Sequence, residues 1–417
     1  MSSFPRSATV AVAGAALCTA LAACGSAGST GGGSDTSDTP ASSGSAATGA
    51  PVKNGAAQIA ITLKDNDCAV DHASAAAGPI TFTVKNESAP GISEVELLSQ
   101  ERILGEKENL APGLAATSFT LTLTGGQYQI YCPGATTENK TFTVTGTAAS
   151  TGASTTQQLL ADGTKGYGTY VANTLADMIV AVDNLKAAVD SGDLAKAKEA
   201  YAKARPFYEK IESDVEGFVL PGKNATDNKF NLDYLIDMRA SNLDPAVGWS
   251  GFHAIERDLW QGGKITDQTK TYAANLQKNV GTLAQLAKSL TYKPEDLANG
   301  AASLLEEVQS NKIKGEEESF SHLDLVDFAA NVEGAQQAFA YLKPGLDKID
   351  PTLSTQVATQ FKNVEAALEK YRDDSALGGF KAWTPQLRAT DAPALSKTVQ
   401  GLQDPLSRIA EKVATAQ

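Results

Sequence analysis

His253 and Glu256 stand three residues apart in the segment Trp249-Ser250-Gly251-Phe252-His253-Ala254-Ile255-Glu256-Arg257-Asp258-Leu259-Trp260. On a helix that spacing projects both side chains from one face. An imidazole nitrogen and a carboxylate placed there can share one metal ion, and the mixed set suits iron, zinc or manganese better than calcium. Trp249, Phe252 and Trp260 are positioned to shield such a site. Spacing by itself favours a plain core histidine beside a surface glutamate, so H-x-x-E gains weight only from what accompanies it.

A second set of chemistry-bearing residues lies upstream. Glu94 and Glu96 are i and i+2 in Ser93-Glu94-Val95-Glu96-Leu97, and on a strand they share a face. Cys68 and Cys132 are the cysteines left once Cys18 and Cys24 are assigned to the N-terminal segment. They either close a disulfide loop of about 64 residues, on the order of 4 kcal/mol, or join the two acids in a metal site. The residues argue against a blue-copper centre, because it needs two His and usually a Met beside the Cys, and His72 is the only histidine in this half.

The N-terminus says where these groups act. Arg6 precedes the apolar run Ala8–Ala23, which ends in Leu21-Ala22-Ala23-Cys24-Gly25. This pattern resembles a bacterial lipoprotein signal over residues 1–23, with Cys24 as the lipidated first residue of the mature chain. The expected location is the extracytoplasmic face of the cell membrane, reached through the lipid anchor. Residues 25–54 are mostly Gly, Ser, Thr and Ala. They read as a disordered linker with an r.m.s. reach of roughly 30 Å. The chain carries 48 acidic against 35 basic residues, net −13. That excess argues against nucleic acid, whose binding needs clustered Lys and Arg.

Two periodicities must position the candidate sites. Between residues 55 and 146 the pattern alternates, as in Gln58-Ile59-Ala60-Ile61-Thr62-Leu63 and Thr117-Ser118-Phe119-Thr120-Leu121-Thr122-Leu123. Gly78-Pro79, Pro112-Gly113 and Gly125-Gly126 punctuate it. This predicts a β-sandwich. A polar stretch at 147–155 separates it from a helical period over 156–417, where Leu175, Met178, Ile179, Val182 and Leu185 share a face. Pro344, Pro351 and Pro385 are expected between helices. The fold class is therefore multidomain: a β-sandwich followed by an all-α helical bundle.

The H-x-x-E segment has company. Gly-Phe-His-x-Ile-Glu-x-x-Leu-Trp resembles the corresponding segment of the imelysin-like family. So do Leu235-Ile236-Asp237-Met238-Arg239, Glu316-Glu317-Glu318-Ser319-Phe320-Ser321-His322-Leu323-Asp324-Leu325 and Ala204-Arg205-Pro206-Phe207-Tyr208-Glu209, in family order. Phe320 stands where the family more often has Tyr, which removes a phenol oxygen. The resemblance implies a metal set of His253, Glu256 and Asp237, with Glu209 or Glu212 and Glu316 or Glu317. Glu209 and Glu317 are narrowly preferred. His322 and Asp324 either orient ligands or simply pack, with Asp324 at an N-cap position. Asn66-Asp67-Cys68, the Glu94–Glu96 strand and Tyr128-Gln129-Ile130-Tyr131-Cys132 resemble a cupredoxin-like domain, which implies copper or iron in the sandwich.

With both domains, the resemblance implies an iron-binding protein of an uptake system. Its partners would be an iron permease and a haem-peroxidase-like protein. A metallopeptidase is the alternative within the same family, but no H-E-x-x-H occurs, and Glu256 as ligand leaves no general base. A polysaccharide-binding lipoprotein with a structural metal would want an aromatic cleft, and aromatic residues are 6% of the chain.

Overall fold

Alternating Val, Ile, Phe and Thr build two five-stranded sheets in the first half of the chain. The computed structural model describes residues 49–99, 102–147, 154–224 and 226–416. The signal segment, Cys24 and the greater part of the linker lie outside the described residues. One sheet runs β1 (Val52–Lys53), β2 (Ala56–Lys64), β5 (Gly78–Asn86), β8 (Thr117–Leu123), with β3 (Asp67–Val70) paired to β2. The other runs β4 (Ser74–Ala76), β10 (Asn139–Thr145), β9 (Gly126–Tyr131), β6 (Val95–Ser99), β7 (Arg102–Lys107). Ile59, Ile61, Leu63, Phe82, Val84, Ile130 and Phe142 fill the space between them. The linker expected to reach Asn54 ends sooner, since Val52 and Lys53 already pair with Ala57 and Ala56.

Cys68 and Cys132 are bonded to each other, with Cα atoms 6.5 Å apart. Both are fully buried. The alternative in which they join Glu94 and Glu96 around a metal is thereby overturned: sulfurs committed to one another are not thiolate ligands.

The second half is helical. α1 (Thr155–Ser191) starts at a capping box between Ser154 and Gln157 and ends at Gly192 in the left-handed conformation. It packs on α2 (Leu194–Glu209), α6 (Asp267–Leu286) and α8 (Asp324–Ile349). α8 also packs on α7 (Pro294–Ser310) and α9 (Pro351–Leu368), and α10 (Pro385–Leu406) on α7 and α9. Short pieces complete the domain: α3 (Glu212–Val215), α4 (Leu232–Asp237), α5 (Gly251–Trp260) and α11 (Ile409–Ala414). Among the described residues no helix is long and apolar enough to cross a membrane.

Pro351 and Pro385 open helices, as expected, but Pro344 lies inside α8. Its ring deprives the Ala340 carbonyl of a donor. Ala340 and Pro344 are both exposed, so water can take that carbonyl.

The two halves are docked through the free edge of β8. Thr120 donates its N–H to Asn299 Oδ1 at 3.4 Å and accepts from Asn299 Nδ2 at 2.6 Å. Thr122 donates to Glu295 Oε1 at 2.9 Å, and Lys293 Nζ reaches the Thr122 carbonyl. Side chains of α7 thus do for β8 what a neighbouring strand would do, which covers an edge otherwise open to pairing. Lys107 Nζ adds an ion pair to Glu306 at 2.7 Å. Asn299→Ala leaves a partly buried N–H and C=O of Thr120 without partners, a loss of about 1–3 kcal/mol. Calorimetry is expected to show one unfolding transition for the wild type, and a lowered or split one for the variant.

Candidate metal centre

α5 delivers His253 and Glu256 to the interior of the helical domain, where they are 1% and 0% exposed. Its first residue, Gly251, has φ +66°, and a Cβ there would overlap the Ile236 carbonyl of α4. Only glycine lets α5 start this close to α4. That contact places His253 beside Asp237, the last residue of α4.

Glu256 fixes the imidazole. Its Oε1 accepts the backbone N–H groups of Phe320 at 2.8 Å and Ser321 at 2.7 Å. Its Oε2 lies 3.0 Å from His253 Nδ1. A carboxylate on one ring nitrogen fixes ring orientation and raises the basicity of the other, a recurrent arrangement around metal-ligating histidines. His253 Nε2 makes no hydrogen bond. It lies 3.6 Å from Asp237 Oδ1 and 3.4 Å from Glu317 Oε1. One donor atom from each of Asp237, His253 and Glu317 falls within 4.8 Å of the others. On the Nδ1 side, His253, Glu256 and Glu318 form a second such group. The structure therefore divides the expected pair: His253 Nε2 faces Asp237 and Glu317, while Glu256 holds the other nitrogen.

Of the remaining expected residues, Glu317 rather than Glu316 joins His253. Glu209 does not. It is spent on Arg205, one turn earlier on α2, and on Lys312 Nζ at 3.0 Å. Glu212 groups instead with Asp233 and Asp237. Asp324 is not an N-cap: it is the first residue of α8, the cap is Leu323, and Asp324 Oδ1 accepts the Glu318 N–H at 3.2 Å. His322, at φ +61°, turns the loop and ties its carbonyl to Trp383 N–H at 2.8 Å. In the sandwich, Glu94 and Glu96 converge with Glu106 and not with the cysteines. Burial and the charge of Glu94 push Glu96 up to about 11.

Several residues of the centre carry no signal in spacing. Arg205 is fully buried, with Nη1 2.6 Å from Asp237, Nη2 2.8 Å from Glu317, and Nε 3.4 Å from Glu318 and 3.5 Å from Asp327. Lys312, in a 3-10 turn, reaches Glu317 at 3.4 Å, and Arg239 reaches Glu307 at 2.6 Å and Glu317 at 3.3 Å. Tyr201 donates to Glu318 at 2.7 Å, and so returns a phenol to the site that Phe320 does not supply. Phe320 instead lies 6.0 Å from Trp249, over which Arg257 stacks.

Acids named here outnumber bases, so the centre has electrostatic room for a cation. Burial raises Asp237 to about 7 against the pull of Arg205 and His253, and burial with Glu256 raises Glu318 to about 8. Burial would raise Glu317 too, but Lys312, Arg239, His253 and Arg205 hold it well below the usual range. Two measurements follow from this geometry. A cation beside His253 must displace the proton of Asp237, pushed up to about 7 by burial, so its affinity is expected to rise between pH 6 and pH 8, with proton release seen by calorimetry in buffers of different ionisation enthalpy. A pH-independent affinity would contradict the arrangement. Gly251→Ala is expected to part Asp237 from His253 and weaken binding at least about tenfold, while Gly281→Ala, at a half-buried position of α6 with nothing near its Cβ, leaves it unchanged.

Residues 163–413 match the family model described as Imelysin, and residues 39–144 match one described as Cupredoxin-like domain. The iron uptake system component EfeO of Escherichia coli K12 is 32% identical over 356 residues, covering 84% of this chain and 90% of the relative. The same component from Shigella flexneri matches to the same extent. The chain thus belongs to the imelysin family, among the EfeO-like proteins that precede the imelysin domain with a cupredoxin-like one.

Proposed function

We propose that this chain is a lipid-anchored, extracytoplasmic iron-binding protein. It takes iron at His253 Nε2, Asp237 and Glu317 and passes it to an EfeU-type permease, with an EfeB-type haem peroxidase as a further partner. The observation that carries the reading is the unbonded His253 Nε2, aimed at two carboxylates while Glu256 holds Nδ1. Kinship with iron uptake components supports iron as the cargo. Cys24, as lipid-bearing residue, would keep the carrier at the membrane, with residues 25–48 as its tether.

Arg205 accounts for reversibility. A bound cation shares Asp237 and Glu317 with the guanidinium, which tempers affinity. When the cation leaves, Arg205 and Lys312 keep the acids from repelling one another. A carrier needs both properties. The peptidase reading requires a free base, and Glu256 is occupied by two backbone N–H groups and an imidazole.

His253→Ala with Glu256→Ala is the direct test. Anaerobic titration with ferrous iron is expected to lose the site entirely, and the rise in Tm that iron gives the wild type is expected to vanish. Unchanged affinity in the double variant would end this assignment. Metal-dependent release of peptides from denatured casein by the wild type would favour the peptidase.

A further inference from the structure

Asp237 belongs to two groups of potential ligands. One is the set with His253 and Glu317. In the other, Glu212 and Asp233 each bring a carboxylate oxygen within 4.8 Å of the others and of Asp237. We propose that Glu212, Asp233 and Asp237 form a second cation position, joined to the first through Asp237; this rests on the iron-binding reading of the first position and extends it.

The acids alone would not make a site. Glu212 is 5% exposed, and its Oε2 is buried without a hydrogen bond. The nearest cation is Lys312 Nζ at 3.9 Å, beyond hydrogen-bonding reach and engaged more closely with Glu209 and Glu317. An unsatisfied carboxylate oxygen in a protein interior costs free energy that a bound cation would offset. The other members are held in place. Asp233 Oδ1 accepts the hydroxyl of fully buried Tyr208 at 2.5 Å, and its N–H donates to the N-cap Asn231 at 2.8 Å. Asp237 is anchored by Arg205. This ligand set contains only oxygen, which selects a hard cation such as ferric iron or manganese. The imidazole of the first position tolerates a softer one.

Its location gives it a role. Glu216, one turn beyond Glu212, meets Glu106 of the sandwich carboxyl to carboxyl, and Glu106 groups with Glu94 and Glu96. Neighbouring acids thus lead from the sandwich through Glu216 to Glu212, and Asp237 of the second position also faces the buried histidine. A cation leaving the domain interface finds a stop there, and Asp237 can hold it while His253 Nε2 takes over.

Manganese(II) is the probe, titrated into the full chain purified in detergent and followed by electron paramagnetic resonance. The wild type is expected to bind two ions with a dipolar coupling between them. Glu212→Gln and Asp233→Asn, which keep side-chain shape, are each expected to bind one and to lose the coupling. His253→Ala is expected to keep the oxygen-only position. A wild type that binds one uncoupled ion, lost in His253→Ala, overturns the second position and leaves the first standing. Two coupled ions persisting in both Glu212→Gln and Asp233→Asn also overturn it. No manganese bound at all overturns the second position, and the ferrous titration of the wild type then decides the first.

Discussion

Ionised carboxylates are among the most expensive groups a protein can bury, and the helical domain is organised around a buried cluster of acids. An isolated ionised acid in an apolar interior costs several kcal/mol even after relaxation. Here Glu209, Asp237, Glu317, Glu318 and Asp327 all surround one guanidinium, Arg205. Four chain segments supply them, α2, α4, the loop after the Lys312 turn, and α8, and α5 adds His253. The cluster thus ties these elements together, with more acids than bases among them.

The same economy extends across the domain boundary. The sandwich leaves β8 with a free edge, and α7 covers it with Glu295 and Asn299, joined by Lys293 at its N-cap. That docking holds Glu106 against Glu216. Two like-charged groups in contact are unfavourable unless protons or a cation sit between them. The domains are therefore held by backbone hydrogen bonds at one place and set acid against acid at another.

Much of this was legible before any coordinates. Alternation in β2, β5, β8, β9 and β10 marked one buried face per strand, and the helical stripe of α1 marked the bundle. His253 and Glu256 were visible because one helix carries both. Asp237 and Glu317 were visible only through resemblance, because they reach His253 by tertiary packing. Arg205 and Glu209 sit at i and i+4, which on most helices means a solvent-exposed ion pair; nothing local distinguishes a buried one. Lys312 was hidden for the same reason. The docking face of α7 reads as ordinary polar helix surface, so its role was invisible. The disulfide stayed open because spacing along the chain does not give the 6.5 Å between Cα atoms.

The central claim is that iron lies between His253 Nε2, Asp237 and Glu317. Crystals of the iron-loaded protein, measured on both sides of the iron absorption edge, test it without any substitution. The account predicts an anomalous peak within bonding distance of those three side chains, with Glu256 still on Nδ1. Iron found only at Glu94, Glu96 and Glu106, with no peak beside His253, would contradict it.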